Sequence, residues 1–229
     1  MIPITSYDGL CGFLTQDFDY WRHRETLQNL KIRLCAILFA RPHMDLASRE
    51  IFPEIEYFNA RLGPRLHVFV AGCIGGLEGE FPDERGVGRT GQWRYSDIAF
   101  NQLRKDLESR SSWRYKDGCE LLLLNTTFDT RKQEATIDFG SAVRTDLLKA
   151  REVGAIHSVA ELIGRLSDYC EHSENQNDPA WGFSDSMGGE VIRSSLWHLL
   201  ISFLPEGLRK DADAARVFVS ADFRRGTPA

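Results

Sequence analysis

The residues best suited to chemistry lie between Arg41 and Ser48, directly after an apolar segment that predicts a strand. In this turn His43 could act as a general base and Asp45 could orient it or contact a metal, while Cys73 is the nucleophile that could reach them. Sites on open α/β sheets tend to form where strands end. A histidine, a carboxylate and a hydroxyl within six residues are close in the chain for a triad, whose members usually come from separate elements. His43, Asp45 and Cys73 are therefore the catalytic candidates of an alternative, enzymatic interpretation.

A second candidate surface combines aromatic and arginine residues. It begins at the end of the stretch 72–95, which holds seven of the chain's nineteen glycines and is interpreted as a long loop. Loops of this length in compact domains are usually functional or disordered, and Trp, Tyr and Arg are enriched at binding hot spots. The cluster is either core packing or a partner-binding surface, and its members are Trp93, Arg94, Tyr95, Trp113 and Tyr115.

Motifs for cofactors and metals are absent or out of context. Gly86, Gly88 and Gly91 have the glycine spacing of a dinucleotide-binding turn, but no strand precedes them and no helix opens at them. No two of the six histidines have the spacing of metal ligands, and no two of the five cysteines form a CxxC pair. We therefore expect no cofactor, no metal site and no disulfide framework.

Composition limits the class of protein further. The chain has 229 residues, of which 42% are hydrophobic and 27% charged, so one globular domain with extensions is expected. The formal net charge of −5 differs from that of a nucleic-acid binder, which usually carries a concentrated basic face. The start of the chain does not resemble a signal peptide, and no apolar stretch approaches the roughly 20 residues that span a bilayer. We expect a cytoplasmic protein that binds neither nucleic acid nor membranes.

The elements that must position these residues follow from hydrophobic patterning. Apolar or alternating segments predict four core strands, at Lys31–Ala40, Arg65–Gly72, Gly118–Phe128 and Ala135–Val143, and an edge strand at Arg216–Phe223. Helical spacing predicts a helix over Asp45–Leu62 that Pro53 should kink, a helix that Ser96 or Asp97 caps, and a helix that the Ser158–Glu161 capping box opens.

Three regions are expected along the chain. Residues 1–30 form an N-terminal helical extension, residues 31–172 form the core, and residues 173–229 form a helix and an edge strand that pack on the core. The predicted helix Val191–Leu204 is more apolar than a peripheral helix needs to be. It is therefore either buried within the chain or a contact with a second copy or another partner.

The order β-α-β-α-β-β-α resembles the thioredoxin-like fold. The local resemblance is best from Cys35 to Gly72, which is similar to the family's first strand, active-site turn, proline-kinked helix and next strand. Pro53 is its most specific correspondence. The resemblance implies an α/β class with a central mixed sheet flanked by helices, to which N- and C-terminal helical extensions are added.

The same resemblance implies that redox chemistry is missing. With Pro53 at the helix kink, the family's two active cysteines fall at Asp45 and Ser48, and the region of its cis-proline, Lys116–Glu120, has no proline. Thiol–disulfide exchange needs a thiolate, so exchange at this turn is lost. We expect a redox-inactive interaction or scaffold module that binds a protein partner or self-associates. The alternative is an intracellular enzyme whose site at the Arg41–Ser48 turn is covered by the loop 72–95.

Overall fold

The computed structural model of the chain describes residues 4–22, 32–60, 66–75, 80–129, 131–172, 219–221 and 223. The predicted helix Val191–Leu204 lies outside these residues. The α-helices are α1 (Tyr7–Arg22), α2 (Ile55–Ala60), α3 (Asp97–Arg110), α4 (Leu147–Glu152) and α5 (Val159–His172). The strands are β1 (Ile32–Phe39), β2 (Leu66–Val70), β3 (Cys73–Gly75), β4 (Arg85–Val87), β5 (Trp93–Tyr95), β6 (Glu120–Asp129), β7 (Glu134–Asp146) and β8 (Val219–Ala221).

A mixed sheet of five strands, in the order β2-β1-β6-β7-β8, forms the centre of the molecule. β1 and β2 are parallel, whereas β6, β7 and β8 each pair antiparallel with the preceding strand of that order. Residues 34–40 are all buried, and since successive side chains of a strand point to opposite faces, both faces of the sheet are covered. The prediction of an α/β class with a mixed central sheet is confirmed, and the predicted edge strand is present as β8.

The N-terminal helix packs with α3 over one part of this sheet. Asp106 of α3 accepts a hydrogen bond from the Tyr7 backbone amide at 3.0 Å, and the Arg110 guanidinium lies 4.1 Å from the centre of the Tyr7 ring. Tyr7 also stacks on Phe139 of β7, with 6.4 Å between ring centres. Elsewhere α5 packs against β2 and against residues 47–51. α1 is thus connected to the sheet and to a core helix through several independent contacts.

The predicted kink at Pro53 divides the segment after β1 into three short pieces. A π-helical turn spans Ala47–Ile51, a 3₁₀ turn spans Phe52–Glu54, and α2 follows. Proline has no N–H to donate, so a regular ladder of helical hydrogen bonds cannot pass through residue 53. The predicted apolar face is retained, because Ile51, Phe52 and Ile55 are buried.

The stretch 72–95, expected to be a loop, instead contains a second sheet of three strands in the order β3-β5-β4. Each strand has only three residues and two of them contain glycine, so neither alternation nor β-propensity indicates them in the sequence. Gly72 (φ 78°) brings this sheet against the start of α3, where a Cβ atom at Gly72 would lie 2.8 Å from the Ser96 carbonyl oxygen. Glycine is required at that position because both the backbone angle and the space exclude a side chain.

Two predicted helix caps are present. The Ser96 hydroxyl accepts a hydrogen bond from the Ala99 amide at 3.1 Å, and the Ser158 hydroxyl accepts one from the Glu161 amide at 3.1 Å. Each hydroxyl satisfies a backbone donor that the first turn of a helix leaves unpaired. Ser96 therefore determines where α3 begins, and with it the position of Asp97, which contributes to the site described next.

Candidate functional site: the Arg41–Ser48 turn and its cleft

The turn after β1 lies beside the start of β6. Phe39 at the end of β1 is paired with Glu120 at the start of β6, so residues 41–48 and 116–120 meet at the same edge of the sheet. There the Cys119 thiol donates a hydrogen bond to the Met44 sulfur at 3.7 Å. The Cys119 carbonyl accepts one from the Leu147 amide at 2.9 Å, which connects the start of α4 to this edge. β1, the turn and α4 are therefore all connected to the start of β6 at this edge.

His43, Asp45 and Ser48 of the turn face solvent. Asp45 forms an exposed ion pair with Arg49 at 2.9 Å, and the Ser48 hydroxyl donates a hydrogen bond to the Asp45 carbonyl at 3.0 Å. His43 is exposed and, among the described residues, makes no hydrogen bond or ion pair. Asp45 is thus paired with a cation and does not orient His43. The turn presents a carboxylate and a hydroxyl without a histidine–carboxylate dyad.

The thiols near this edge are buried and protonated at neutral pH. Burial raises the pKa of Cys119 to about 11, because the hydrogen bond from the Ala47 amide offsets only part of the effect of burial. Cys73 in β3 is also buried, and burial raises the pKa of its thiol further. The nucleophile is the thiolate, so the structure does not favour Cys73 in the catalytic role that the alternative interpretation gave it.

An open cleft lies beside the turn. Its volume is about 260 Å³, and it is lined by Pro42, Ser48, Phe52, Pro53, Val87, Gly88 and Arg89. The first four residues belong to the turn and the kinked helical segment, and the last three belong to β4 and the residues that follow it. The turn and the stretch 72–95, which the enzymatic interpretation placed together, therefore share one cleft.

The wall formed by the small sheet is tied to the kinked segment. The Arg89 guanidinium forms an ion pair with Glu54, and the Thr90 hydroxyl donates a hydrogen bond to Glu56 at 2.9 Å. Burial alone would raise the pKa of Glu56, but hydrogen bonds from its own backbone, from Thr90 and from the Arg89 amide lower it overall. At Gly88 (φ 82°) a Cβ atom would lie 2.8 Å from the Glu56 carboxylate, so this close approach depends on glycine.

Asp97 joins the turn to the small sheet. Its carboxylate accepts hydrogen bonds from Arg41 at 2.9 Å, from Arg85 at 3.1 Å and from the Tyr95 hydroxyl at 3.2 Å. An acid in the first turn of a helix is also favoured by the helix dipole. In the sequence Asp97 is recognisable only as a possible cap of α3, and no spacing rule connects it with Arg41 and Arg85. These three contacts connect the turn, through Arg41, with the small sheet, through Arg85 and Tyr95.

Three of the five residues predicted as a partner-binding surface lie in the core. Tyr95, Trp113 and Tyr115 are 0%, 1% and 8% exposed, and the rings of Phe39 and Trp113 are 4.7 Å apart between centres. These aromatic side chains fill the space between β1 and α3, which explains their clustering in the sequence. Of the two interpretations that the sequence leaves open for these three residues, their burial favours core packing. Trp93 and Arg94 are half-buried on β5, and Arg94 lies 3.7 Å from the Glu84 carboxylate.

A buried ion pair supports the edge of the sheet beneath the turn. Glu120, fully buried, accepts hydrogen bonds from Arg144 at 2.7 Å and from the Lys116 amide at 2.9 Å. The hydrogen bond to Glu120 raises the pKa of Arg144 above its ordinary value, although burial of Arg144 opposes this. Nothing in the spacing of Glu120 and Arg144 indicates that they meet, since β6 and β7 bring them together.

The described part of the chain contains no group of three histidine, cysteine or acidic side chains that could hold a metal ion. None of its helices combines the length and apolar character needed to cross a bilayer. Comparison with protein-family models found no match, and neither did comparison with curated proteins or with solved structures.

Proposed function

We propose that this chain is a redox-inactive module of the thioredoxin-like type that binds a protein partner at the cleft beside the Arg41–Ser48 turn. The strand pairing supports the fold part of the proposal. Parallel strands β1 and β2 are connected through a turn and a proline-kinked helix, and α3 then leads to the antiparallel pair β6 and β7. This is the βαβ unit followed by a ββα unit on which the resemblance rests.

The observation that carries the proposal is the chemistry of the turn. Asp45 and Ser48 expose a carboxylate and a hydroxyl where the family places its two cysteines. The thiol beside the turn, Cys119, is buried and has a raised pKa. Because exchange requires an accessible thiolate, the scaffold at this edge retains shape and loses redox reactivity.

The cleft supports the binding part of the proposal. Its lining is mainly apolar, it is open to solvent, and contacts on both sides hold it in place. Two of its lining residues are prolines, Pro42 and Pro53, whose rings restrict the backbone. A surface that is already ordered loses little conformational entropy when a partner binds.

A site-specific cross-link tests this function. The photoreactive residue p-benzoylphenylalanine replaces Ser48 in the full chain, and in a control it replaces Lys132, which is exposed at the turn between β6 and β7. The strand register places that turn at the opposite end of the sheet. Irradiation in the native cell should yield an adduct for position 48 and none for position 132, and mass spectrometry would identify the partner. An absence of adducts specific to position 48 contradicts the proposal.

The enzymatic alternative remains a second candidate because the turn and the stretch 72–95 share the cleft. Its weakness is chemical, since Asp45 is paired with Arg49 and Cys73 is buried. It requires that an activity, once found, fall when His43→Ala is introduced. An activity that is unchanged in His43→Ala would remove this candidate.

A further inference from the structure

We propose that the partner enters the cleft as an extended acidic segment that pairs with the exposed edge of β4. This inference rests on the proposed function, because it takes the cleft as the binding site. It adds the conformation and the charge of the segment that the cleft recognises.

β4 has an exposed edge among the described residues. β4 lies at one side of the three-stranded sheet and, among the described residues, pairs only with β5. Arg85 and Gly86 are exposed, and a Cβ atom added at Gly86 would meet no atom within 4 Å. An edge strand presents backbone N–H and C=O groups that an incoming strand can pair with. β4 therefore offers a place for strand addition next to the cleft.

The exposed edge of β4 continues into the cleft. Val87, the last residue of β4, lines the cleft together with Gly88 and Arg89. A peptide paired with β4 would therefore bring one of its side chains over Phe52 and Pro53. The volume of about 260 Å³ is below the roughly 300–1,000 Å³ of small-molecule sites. The cleft suits one or two apolar side chains of a peptide better than a whole cofactor.

Exposed arginine side chains lie at both ends of β4. Arg89 is the one charged residue among the described residues that line the cleft, and its side chain is 68% exposed against 29% for its partner Glu54. At the other end of β4, Arg85 is 48% exposed against 35% for Asp97. Both arginine side chains are thus more exposed than the acidic side chains they pair with. Arginine binds carboxylates in two-pronged geometry, so an acidic segment complements this rim.

Synthetic peptides test the inference on the intact chain. The probes are fluorescein-labelled heptapeptides of alternating threonine and valine with a glutamate at each end and Leu, Ile, Met, Val or Phe at the centre. A matched series replaces both glutamates with lysine. In an extended peptide, alternate amides point to the same side, so N-methylation of one alternate set should abolish binding while N-methylation of the other set is tolerated. Fluorescence anisotropy reports binding without any change to the protein.

We expect saturable binding of at least one acidic peptide, weaker binding of its lysine counterpart, and loss of binding with one methylation set. Arg89→Gln should weaken binding by about threefold, as for an exposed charge pair, whereas Arg131→Gln at the distant β6–β7 turn should have no effect. Circular dichroism would verify that both variants fold.

Three results would overturn the inference: no saturable binding below about 1 mM, preference for the lysine series, or equal effects of both methylation sets. If the cross-link at position 48 still captures a protein, such a result removes strand addition and leaves the binding function in place.

Discussion

At the scale of single residues, the edge beneath the turn combines a buried ion pair with protonated thiols. Glu120 and Arg144 form an ion pair in which both side chains are buried, and the Lys116 amide donates a further hydrogen bond to Glu120. The sequence alone shows the carboxylate of Asp45 and the hydroxyl of Ser48, and the proposed thioredoxin-like resemblance takes Pro53 as its reference point. It could not identify the ion pair, since only the register of β6 against β7 brings the two charges into contact.

Removal of one member of this pair should be strongly destabilising. Arg144→Leu leaves the Glu120 carboxylate buried without its cation, and the free energy of unfolding should fall by about 3–5 kcal/mol. Replacing both residues, as Glu120→Leu with Arg144→Leu, should recover much of that loss because no isolated charge remains. Urea denaturation measures both, with exposed Arg131→Leu as a control expected to change stability by less than about 0.5 kcal/mol. If the Arg144→Leu protein is as stable as that control, the ion pair does not contribute to the free energy of unfolding.

The thiols predict a loss of stability at alkaline pH. The pKa of Cys119 is about 11 when folded against 9.0 ordinarily, and burial also raises the pKa values of Cys73, Tyr95 and Tyr115. A group whose pKa is raised on folding stabilises the protein fully below its unfolded pKa and less as pH rises towards the folded value. The free energy of unfolding should therefore be nearly constant at pH 7–8 and decrease above about pH 9. Denaturant titrations at several pH values measure it, and a rise between pH 9 and 11 would contradict the assignment.

At the scale of elements, whether the sequence predicts a strand or helix depends on how many residues that element contains. The strands of the central sheet and the caps of α3 and α5 were predictable because long apolar patterns and cap residues are local signals. The small sheet was not, because three-residue strands carry too few side chains to show a pattern. The cleft depends on that sheet. The position of the small sheet against the turn depends on Asp97, whose carboxylate accepts hydrogen bonds from Arg41 and Arg85.

Gly72, directly before β3, and Gly86, within β4, differ in the space available for a side chain. Gly72→Ala would place a Cβ atom 2.8 Å from the Ser96 carbonyl at φ 78°, and should lower the free energy of unfolding by at least about 1–3 kcal/mol. Gly86→Ala meets open space and should change it by less than about 0.5 kcal/mol. Thermal unfolding of the two variants provides the comparison. Equal effects of the two substitutions would mean that β3 does not approach α3 as closely as described.

At the scale of the whole molecule, the N-terminal helix belongs to the same hydrophobic core as the sheet. Leu10 and Leu14 of α1 are fully buried, and Asp106 of α3 binds the start of α1. The sequence presented residues 1–30 as an extension because their apolar face is loose and separated from β1 by polar residues. Packing against α3 and β7 supplies the order that local patterning does not reveal.

A pair of leucine substitutions measures how far α1 supports the fold. Leu14→Ala should lower the free energy of unfolding by about 2–5 kcal/mol, since it removes a fully buried side chain and leaves a cavity. Leu148→Ala, at an exposed position of α4, should change it by less than about 0.5 kcal/mol. Both are measured by urea denaturation. If Leu14→Ala behaves like Leu148→Ala, α1 is a separable extension and the core does not require it.

The most direct test of the central claim is dithiothreitol-driven reduction of a disulfide-bonded protein such as insulin. Under the proposed function, Asp45 and Ser48 stand at the positions where the thioredoxin-like family has its two cysteines, so the reduction rate should equal that of dithiothreitol alone. The variant Asp45→Cys with Ser48→Cys introduces the family's cysteine spacing and serves as the matched comparison. Efficient turnover by the unmodified chain, abolished by alkylation of its thiols, would contradict the claim that this scaffold binds without redox exchange.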